Sequence, residues 1–181
     1  MNRTRRNILS GLGAMTGTGL AGCTSISAPK VLKNGRESFI LGDLFTLGIA
    51  SGDPNADGFV IWTRLAPDPL AENGGMIEPV NVSWQVAEDE HFARVIKAGQ
   101  TVATSDWAHS VHVEVTGLRP LRQYYYRFIA KGQNSPIGRA KTTPIYGAPV
   151  DKLRIGIASC QHYEQGFFNA YNDMVAQDPD L

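Results

Sequence analysis

The feature that most constrains the fold of this chain is a series of short, strand-like segments between residues 45 and 141, separated by turn-forming residues. In residues 80–86, Val and Trp alternate with Asn, Ser and Gln. Because successive side chains of a strand point to opposite faces, this segment has one apolar and one polar face. Six further candidates are 45–49, 59–65, 94–97, 111–115, 124–128 and 137–141. Seven short strands with regular turns predict a mainly β fold, a β-sandwich.

The turn formers between the first two candidates raise a second possibility, a calcium site. Residues 51–58 contain Asp53 and Asp57 among Gly, Pro and Asn. They lack the ligand spacing of an EF-hand loop, and these residue types are ordinary in turns, so a turn is predicted. His109 and His112 would point to opposite faces of one strand, which makes them a poor metal pair. The sandwich is therefore expected to carry no catalytic residue.

One local pattern indicates the kind of sandwich. A Leu-x-Pro-x-x-x-Tyr pattern ends at Tyr124, and it resembles the tyrosine corner of fibronectin type III domains. In that corner the tyrosine hydroxyl binds upstream backbone, so Tyr124, Tyr126 and Phe128 are expected to face the core. Trp84 resembles the buried tryptophan of immunoglobulin-like cores. A half-exposed tryptophan at a domain contact is the alternative.

The C-terminal segment is predicted to form a strand, a loop and a helix. Residues 153–158 alternate large aliphatic with small or polar side chains, which is typical of a strand buried on both faces. Apolar residues that would share one helix face follow Gly166, and they are Phe167, Ala170, Tyr171, Met174 and Val175. Cys160 lies in the loop, and ligands of α/β sheets bind where strands end. A lone Cys in this position is more often a small buried side chain with an inert thiol.

The N-terminal residues are predicted to be an export signal. Arg5 and Arg6 precede a weakly apolar, Gly-rich run, 8–20, and together these features resemble a twin-arginine signal. An ordinary signal peptide with a coincidental Arg pair is the alternative. Leu-Ala-Gly before Cys23 resembles a bacterial lipobox, so Cys23 is expected to be lipidated. A soluble periplasmic protein with a free Cys23 is the alternative to that expectation.

Charge and cysteine content limit the function further. The chain has 17 basic and 17 acidic residues and a formal net charge of +0, so nucleic-acid binding is not predicted. Of the two cysteines, lipidation of Cys23 would leave Cys160 unpaired in an oxidising compartment. Burial or a metal bond would protect that thiol. The predicted organisation is a signal peptide at 1–22, a tether at 23–43 and the sandwich at 44–145. Residues 146–181 are predicted to be the beginning of a further domain.

Several segments together resemble the PhoD family of alkaline phosphatases. They are FTLGIASGDP (45–54), VIWTRL (60–65), IASCQ (157–161), YE (163–164) and GFF (166–168). The resemblance implies a twin-arginine signal, an N-terminal immunoglobulin-like β-domain and a larger metallophosphatase domain. It also implies hydrolysis of phosphate mono- and diesters at a site with Fe³⁺ and Ca²⁺. Cys160 matches the family's iron ligand.

The chain departs from the family pattern after residue 181. The family's Gly-Asp-x-x-Tyr segment and the later Asp, Asn and His ligands have no counterpart in this sequence. We therefore expect only the first β-α unit of an incomplete α/β metallophosphatase domain, with no catalytic residue in this chain and no metal held stably by it. His162, Tyr163 and Glu164 lie beside Cys160, and a solvent-facing loop is predicted for them.

The sequence thus predicts the N-terminal portion of an exported, periplasmic or cell-surface alkaline phosphatase, inactive as this chain alone. Its expected partners are phosphate esters in the full-length family, the membrane through the lipid anchor, and the twin-arginine translocase during export. The alternative is a membrane-anchored immunoglobulin-like binding module without catalysis. The hypothesis of a redox protein exported by the twin-arginine route has less support, because the sequence has no Cys-x-x-Cys, haem or dinucleotide-binding pattern.

Overall fold

The computed structural model describes residues 42–160, 162 and 167–181, which all belong to the unit Phe39–Leu181. Within these residues the strands and the helix are β1 Ile49–Gly52, β2 Phe59–Arg64, β3 Val80–Ala87, β4 Val95–Ala103, β5 Ser110–Val115, β6 Gln123–Ala130, β7 Gln133–Asn134, β8 Gly138–Lys141 and α1 Asn169–Ala176. Cys23, Arg5 and Arg6 lie outside the described residues. In the described part of the chain, no helix is long and apolar enough to cross a membrane.

The strands form two antiparallel sheets. The first has the order β1-β2-β5, and the second has the order β4-β3-β6. On its other edge β6 pairs with β7 near Ala130 and with β8 near Gln123. The two sheets face each other, which confirms the predicted sandwich of the immunoglobulin and fibronectin type III type.

The strand directions define two ends of the sandwich. At the lower end lie residues 42–48 and the loops 65–79, 104–109 and 131–132. At the upper end lie the loops 53–58, 88–94 and 116–122, together with residues 142–153 that follow β8. The chain therefore joins the sandwich from one end and leaves it from the other.

The core contains the buried faces of several strands, chiefly β2, β3, β5 and β6, together with Leu44, Phe45 and Leu65 from outside the strands. The largest buried apolar members are Leu44, Phe45, Phe59, Ile61, Leu65, Val82, Val86, Val115, Tyr124, Tyr126 and Phe128. In β6 the buried residues alternate with half-buried or exposed ones, so Tyr124, Tyr126 and Phe128 face the core as predicted. Burying a large apolar side chain contributes about 1.5–3 kcal/mol relative to leaving it exposed, and these contacts hold the two sheets together.

The predicted strand at 45–49 is wrong in position, because residues 44–47 form a turn and β1 begins at Ile49. Gly48 N–H donates to the Phe45 carbonyl at 2.7 Å, and Gly48 has a φ of +70° that favours glycine. Leu44 and Phe45 are adjacent, yet both are buried. A strand would have directed them to opposite faces, whereas the turn lets both side chains enter the core.

The predicted strand at 153–158 is also wrong, since this segment has no regular secondary structure. Its backbone makes a short parallel contact with the last residues, in which Gly156 N–H donates to the Leu181 carbonyl at 2.7 Å and Asp180 N–H donates to the Arg154 carbonyl at 2.8 Å. Ile155 and Ile157 remain exposed. A parallel strand requires neighbours on its edges and on both faces, and the described residues supply one partial neighbour.

The predicted helix is present as α1, beginning at Asn169. Met174 packs on Gly156, where an added Cβ would lie 2.9 Å from the Met174 sulfur. Phe168 stacks on Tyr171 with ring centroids 6.1 Å apart. The predicted apolar face is nevertheless mostly exposed, with Val175 among its exposed residues. The helix therefore packs on the 154–156 segment through a small part of that face.

The tyrosine corner is confirmed in detail. Tyr124 Oη accepts a hydrogen bond from Arg119 N–H at 2.9 Å and donates one to the Arg119 carbonyl at 3.3 Å. The ring is buried against Phe59 of the opposite sheet, with centroids 6.1 Å apart. Tyr124 thus joins the 116–122 loop, β6 and the facing sheet through one side chain.

Trp84 packs against the core from β3 but is half-buried, which differs from the buried position predicted for it. Its pairing partner is Gly99 of β4. A Cβ at Gly99 would lie only 2.6 Å from Trp84 Cζ2, so the indole occupies the space that a side chain would take. β4 is an edge strand, and the open edge leaves part of the ring accessible.

Replacing Tyr124 with Phe is expected to lower the free energy of unfolding by about 1–2 kcal/mol, because both hydrogen bonds to Arg119 are lost. Urea unfolding followed by circular dichroism measures the change. Tyr125→Phe is the matched control, since its hydroxyl accepts a hydrogen bond from Gln123 at the surface. That control should change stability by no more than about 0.5 kcal/mol. Equal losses in the two variants would contradict the role assigned to the corner.

Candidate functional site

Cys160 is the residue to which the sequence assigned a metal, and the structure places it at the end of residues 152–160, which have no regular secondary structure. Its side chain is exposed and its thiol is free. Its φ of 56° lies in the left-handed region, which is uncommon for a residue other than glycine. The alternative prediction of an inert, buried thiol therefore does not describe this residue.

The neighbours of Cys160 are described only in part. His162 is exposed, whereas Gln161, Tyr163 and Glu164 lie outside the described residues. Within residues 42–160, 162 and 167–181, no group of three or more His, Cys, Asp or Glu side chains could hold a metal ion. Fewer than three such donors are therefore described around Cys160, and this set does not fit a catalytic Fe³⁺ and Ca²⁺ pair, which requires several hard oxygen or nitrogen ligands.

Of the two other candidate metal positions, the 53–58 loop forms the turn predicted for it, whereas His109 does not share a strand with His112 as predicted. In the 53–58 loop, Asn55 N–H donates to the Gly58 carbonyl at 2.9 Å, and Asn55 Oδ1 accepts from Asp57 N–H at 2.9 Å. These bonds form an ordinary Asx-type turn. His109 is buried before β5, whereas His112 is exposed on it, so the two rings do not form a pair.

The segment that carries Cys160 is held to the sandwich by two ion pairs, which we call the tail clamp. Arg139 Nη2 of β8 donates to Asp178 Oδ1 at 2.5 Å. Lys141, two residues further along β8, donates to Asp180 Oδ1. Both acids follow α1 and flank Pro179, which restricts the backbone between them. The clamp therefore connects the last residues of the chain to an edge strand of the second sheet.

Asp180 extends this connection to the segment before Cys160. Its Oδ2 accepts a hydrogen bond from Arg154 N–H at 3.0 Å, while the Arg154 guanidinium donates to the Gln177 carbonyl at 3.0 Å. The hydrogen bond from Lys141, followed by that from the Arg154 amide, holds the pKa of Asp180 below its usual value of 3.8. Its ionised carboxylate thus bridges β8 and residue 154.

A cavity of about 290 Å³ lies between the clamp and the first sheet, lined by residues that include Gly52, Phe59, Arg139 and Asp180. A second cavity, of about 470 Å³, follows residues 142–153 and has mainly apolar walls. Cys160 lines neither of them. Its sulfur is therefore accessible to a ligand, but neither of these two cavities encloses that position.

Sequence reasoning missed the tail clamp, although a pattern for it exists. Arg139 and Lys141 are two residues apart in a strand, so they share the face opposite buried Ala140. Asp178 and Asp180 have the same spacing in a Pro-restricted segment. Matched spacing of opposite charges indicates that two extended segments can pair, but nothing local in the sequence indicates which segments meet.

Asp180→Asn is expected to speed hydrogen exchange several-fold at the Arg154 and Gly156 amides, because the clamp loses its charged acceptor. Asp173→Asn on exposed α1 is the matched control and should leave those rates unchanged.

Lowering the pH should act on the wild-type chain in the same way. A carboxyl whose folded pKa is depressed contributes stability above its unfolded value, near 3.8 here, and that stability is lost as the pH falls through the folded value. Protection of the two amides that persisted unchanged well below pH 3.8 would contradict this role of Asp180.

Comparisons with known proteins place these features in one family. Residues 34–144 match the family described as "PhoD-like phosphatase, N-terminal domain". The chain is 45% identical over 179 residues to alkaline phosphatase D of Bacillus subtilis (strain 168), an alignment that covers 98% of this chain and 30% of the relative. A solved structure described as "Structure of PhoD" superposes with a TM-score of 0.74 and 49% identity, over 77% of this chain and 27% of that one.

The matched region corresponds to the sandwich. Residues 34–144 include every strand from β1 to β8, whereas the Cys160 segment and α1 follow it. The chain spans less than a third of the length of the two relatives named here. From its sequence and its sandwich, the chain belongs to the PhoD-like phosphatase family and carries the N-terminal domain of that family.

Proposed function

We propose that this chain is the N-terminal portion of an exported alkaline phosphatase of the PhoD type, which hydrolyses phosphate mono- and diesters. The observation that carries the proposal is the 45% identity to alkaline phosphatase D across 98% of the chain. This identity extends beyond the sandwich and through the segment that contains Cys160. In the complete enzyme Cys160 would supply one ligand of a centre that holds Fe³⁺ and Ca²⁺.

The sandwich and the clamp have a positioning role in this proposal. The sandwich is a preformed platform, and Arg139 and Lys141 fix the residues after α1 upon it. Arg154, bonded to Asp180, is six residues from Cys160 along the chain. A ligand-bearing loop requires such fixed points, because a metal centre needs its donors in a defined geometry.

The chain alone is proposed to be inactive. A single thiolate cannot satisfy the coordination of either ion, and within the described residues no further donor cluster accompanies it. The exposed, irregular segment 153–158 also lacks the packing that would hold Cys160 rigidly. No catalytic step is therefore assigned to residues of this chain.

A second candidate is a binding module without catalysis. The observation that favours it is the sandwich itself, which has a closed core within the described residues and does not depend on the Cys160 segment for its apolar contacts. The two candidates differ in what happens when the region of the relative that follows the aligned residues is joined to this chain.

The purified chain, supplied with Fe³⁺ and Ca²⁺, is expected to retain well under one equivalent of either metal after gel filtration and to leave a chromogenic phosphodiester intact. A chimera that joins residues 1–181 to the remainder of the Bacillus alkaline phosphatase D, from the aligned position onward, should regain metal and activity. Metal analysis and hydrolysis assays measure both properties.

In that chimera Cys160→Ser should remove most of the iron and reduce hydrolysis by about a hundredfold or more, because loss of a group that merely supports a metal ligand already costs about 10–100-fold. Tyr146→Ser is the control, since Tyr146 is fully exposed after β8. Turnover by the unextended chain would refute its proposed inactivity. A folded but inactive chimera would favour the binding module.

The proposed route to the cell envelope is twin-arginine export followed by lipidation of Cys23, which leaves the protein periplasmic or on the cell surface. The support is the sequence pattern around Arg5, Arg6 and Cys23. Replacing both arginines with Lys should leave a full-length precursor in the cytoplasm. Cys23→Ala should remove the label after growth with radioactive palmitate and release the mature protein from membranes. An unlabelled wild-type protein would refute the lipid anchor, and export of the double-Lys variant would refute the twin-arginine route.

A further inference from the structure

Three large apolar side chains protrude from the lower end of the sandwich. Leu70 is 92% exposed, Ile77 is 85% exposed and Trp107 is 73% exposed. Leu70 and Ile77 lie in the 65–79 loop, and Trp107 lies in the 104–109 loop. Single exposed apolar residues are ordinary, but three at one end of a small domain indicate an interaction surface.

Hydrogen bonds hold these two loops together. His109 Nε2 lies 3.2 Å from the Glu78 carbonyl, next to Ile77. Arg64 Nε donates to the Ala108 carbonyl at 2.9 Å, next to Trp107. Leu65 N–H donates to the His109 carbonyl at 3.1 Å. The protruding side chains are therefore carried on loops with fixed bases.

The 65–79 loop is also folded on itself. Asp68 N–H donates to the Gly74 carbonyl at 3.0 Å, and Ala71 N–H donates to the Asp68 carbonyl at 3.1 Å. Gly74 packs closely on Ala66, where an added Cβ would lie 2.8 Å away. Leu70 is thus held at the tip of a compact turn.

The chain that precedes the sandwich joins it at this same end. Gln133 of β7 donates to the Gly42 carbonyl at 3.2 Å and accepts from Leu44 N–H at 3.0 Å. Residue 42 is thereby fixed at the lower end. Cys23 is 19 residues earlier in the sequence, a length that spans at most roughly 65 Å when fully extended. A lipid on Cys23 would keep the domain within that distance of a bilayer.

The charges around the three apolar residues restrict the surface that they would contact. Asp68, Glu72, Glu78 and Asp106 lie in the same two loops, and neither loop contains Lys or Arg. Anionic lipid would be repelled by these carboxylates, whereas a zwitterionic head-group layer would not. Tryptophan is enriched at the interface between head groups and hydrocarbon, where its ring is buried and its N–H is hydrated.

We infer that the lower end of the sandwich rests on a zwitterionic bilayer surface, with Leu70, Ile77 and Trp107 inserted at the interface. The inference rests on the proposed lipidation of Cys23. Tethering raises the effective concentration of the surface, so three side chains suffice for contact even where the free domain would bind weakly. The upper end, from which residues 142–181 continue, then faces away from the membrane.

The test uses the lipidated full chain in vesicles of phosphatidylcholine with brominated acyl chains, which quench nearby indole emission. The chain has three Trp, so the Trp107 signal is taken as the difference between the wild type and Trp107→Phe. More than half of that signal should be lost relative to vesicles without bromine. Trp107→Phe combined with Tyr146→Trp places an indole at the upper end as the control, and that indole should remain unquenched.

Two further measurements separate the possible partners. Leu70→Ser with Ile77→Ser should reduce the quenching of Trp107 several-fold without affecting the fold, because both residues are exposed. Quenching should be weaker in brominated phosphatidylglycerol at low salt. Equal quenching of Trp107 and the Tyr146→Trp indole would overturn the inference. A blue shift of Trp107 with polylysine, without quenching by lipid, would overturn it in favour of a basic polypeptide partner.

The two proposals can fail separately. Mass spectrometry of the same sample shows whether Cys23 carries acyl chains. If it does not, the anchor proposal fails alone, and the quenching of Trp107 is measured with brominated phosphatidylcholine vesicles added in excess to the free chain. Quenching of Trp107 in that experiment would support the inference, and the absence of quenching would overturn it.

Discussion

The buried face of β6 is the constraint on which the rest of the structure depends. β6 pairs with β3 along one edge and with β7 and β8 along the other, so its position determines the second sheet. Tyr124, Tyr126 and Phe128 fill the space between the sheets, and the Tyr124 hydroxyl fixes the loop that leads into the strand. Because β8 is aligned on β6, the basic side chains of β8 are aligned as well.

The tail clamp is a consequence of that alignment. Arg139 and Lys141 point away from the core and bind acids that follow α1, which places the Cys160 segment beside the sandwich. The contact relies on ion pairs and a few backbone hydrogen bonds, while the aliphatic side chains of 153–158 stay exposed. Exposed ion pairs are individually weak, so this part of the chain is held less firmly than the sandwich.

Prediction succeeded where local pattern and tertiary environment agree. The alternation of apolar and polar residues in 80–86 and 124–128 correctly predicted two strands and their buried faces. The Leu-x-Pro-x-x-x-Tyr pattern that ends at Tyr124 correctly predicted the tyrosine corner. The same kind of alternation failed at 45–49 and 153–158. At 45–49 a turn allows both Leu44 and Phe45 to be buried, and at 153–158 the described residues offer no complete pairing partner. Alternation of apolar and polar residues indicates which face of a strand could be buried. Whether that face is buried depends on the strands and loops that pack against it.

By itself the sequence determined the sandwich, the corner, the helix after Gly166 and the family, because each depends on residues close together in the chain. Only the tertiary structure decided that Cys160 is exposed, that Asp180 joins Lys141 to Arg154, and that Leu70, Ile77 and Trp107 protrude from one end. These features depend on segments far apart in sequence, and only the folded backbone brings them together. Local periodicity encodes neither the contacts of Asp180 nor which apolar side chains the fold leaves exposed.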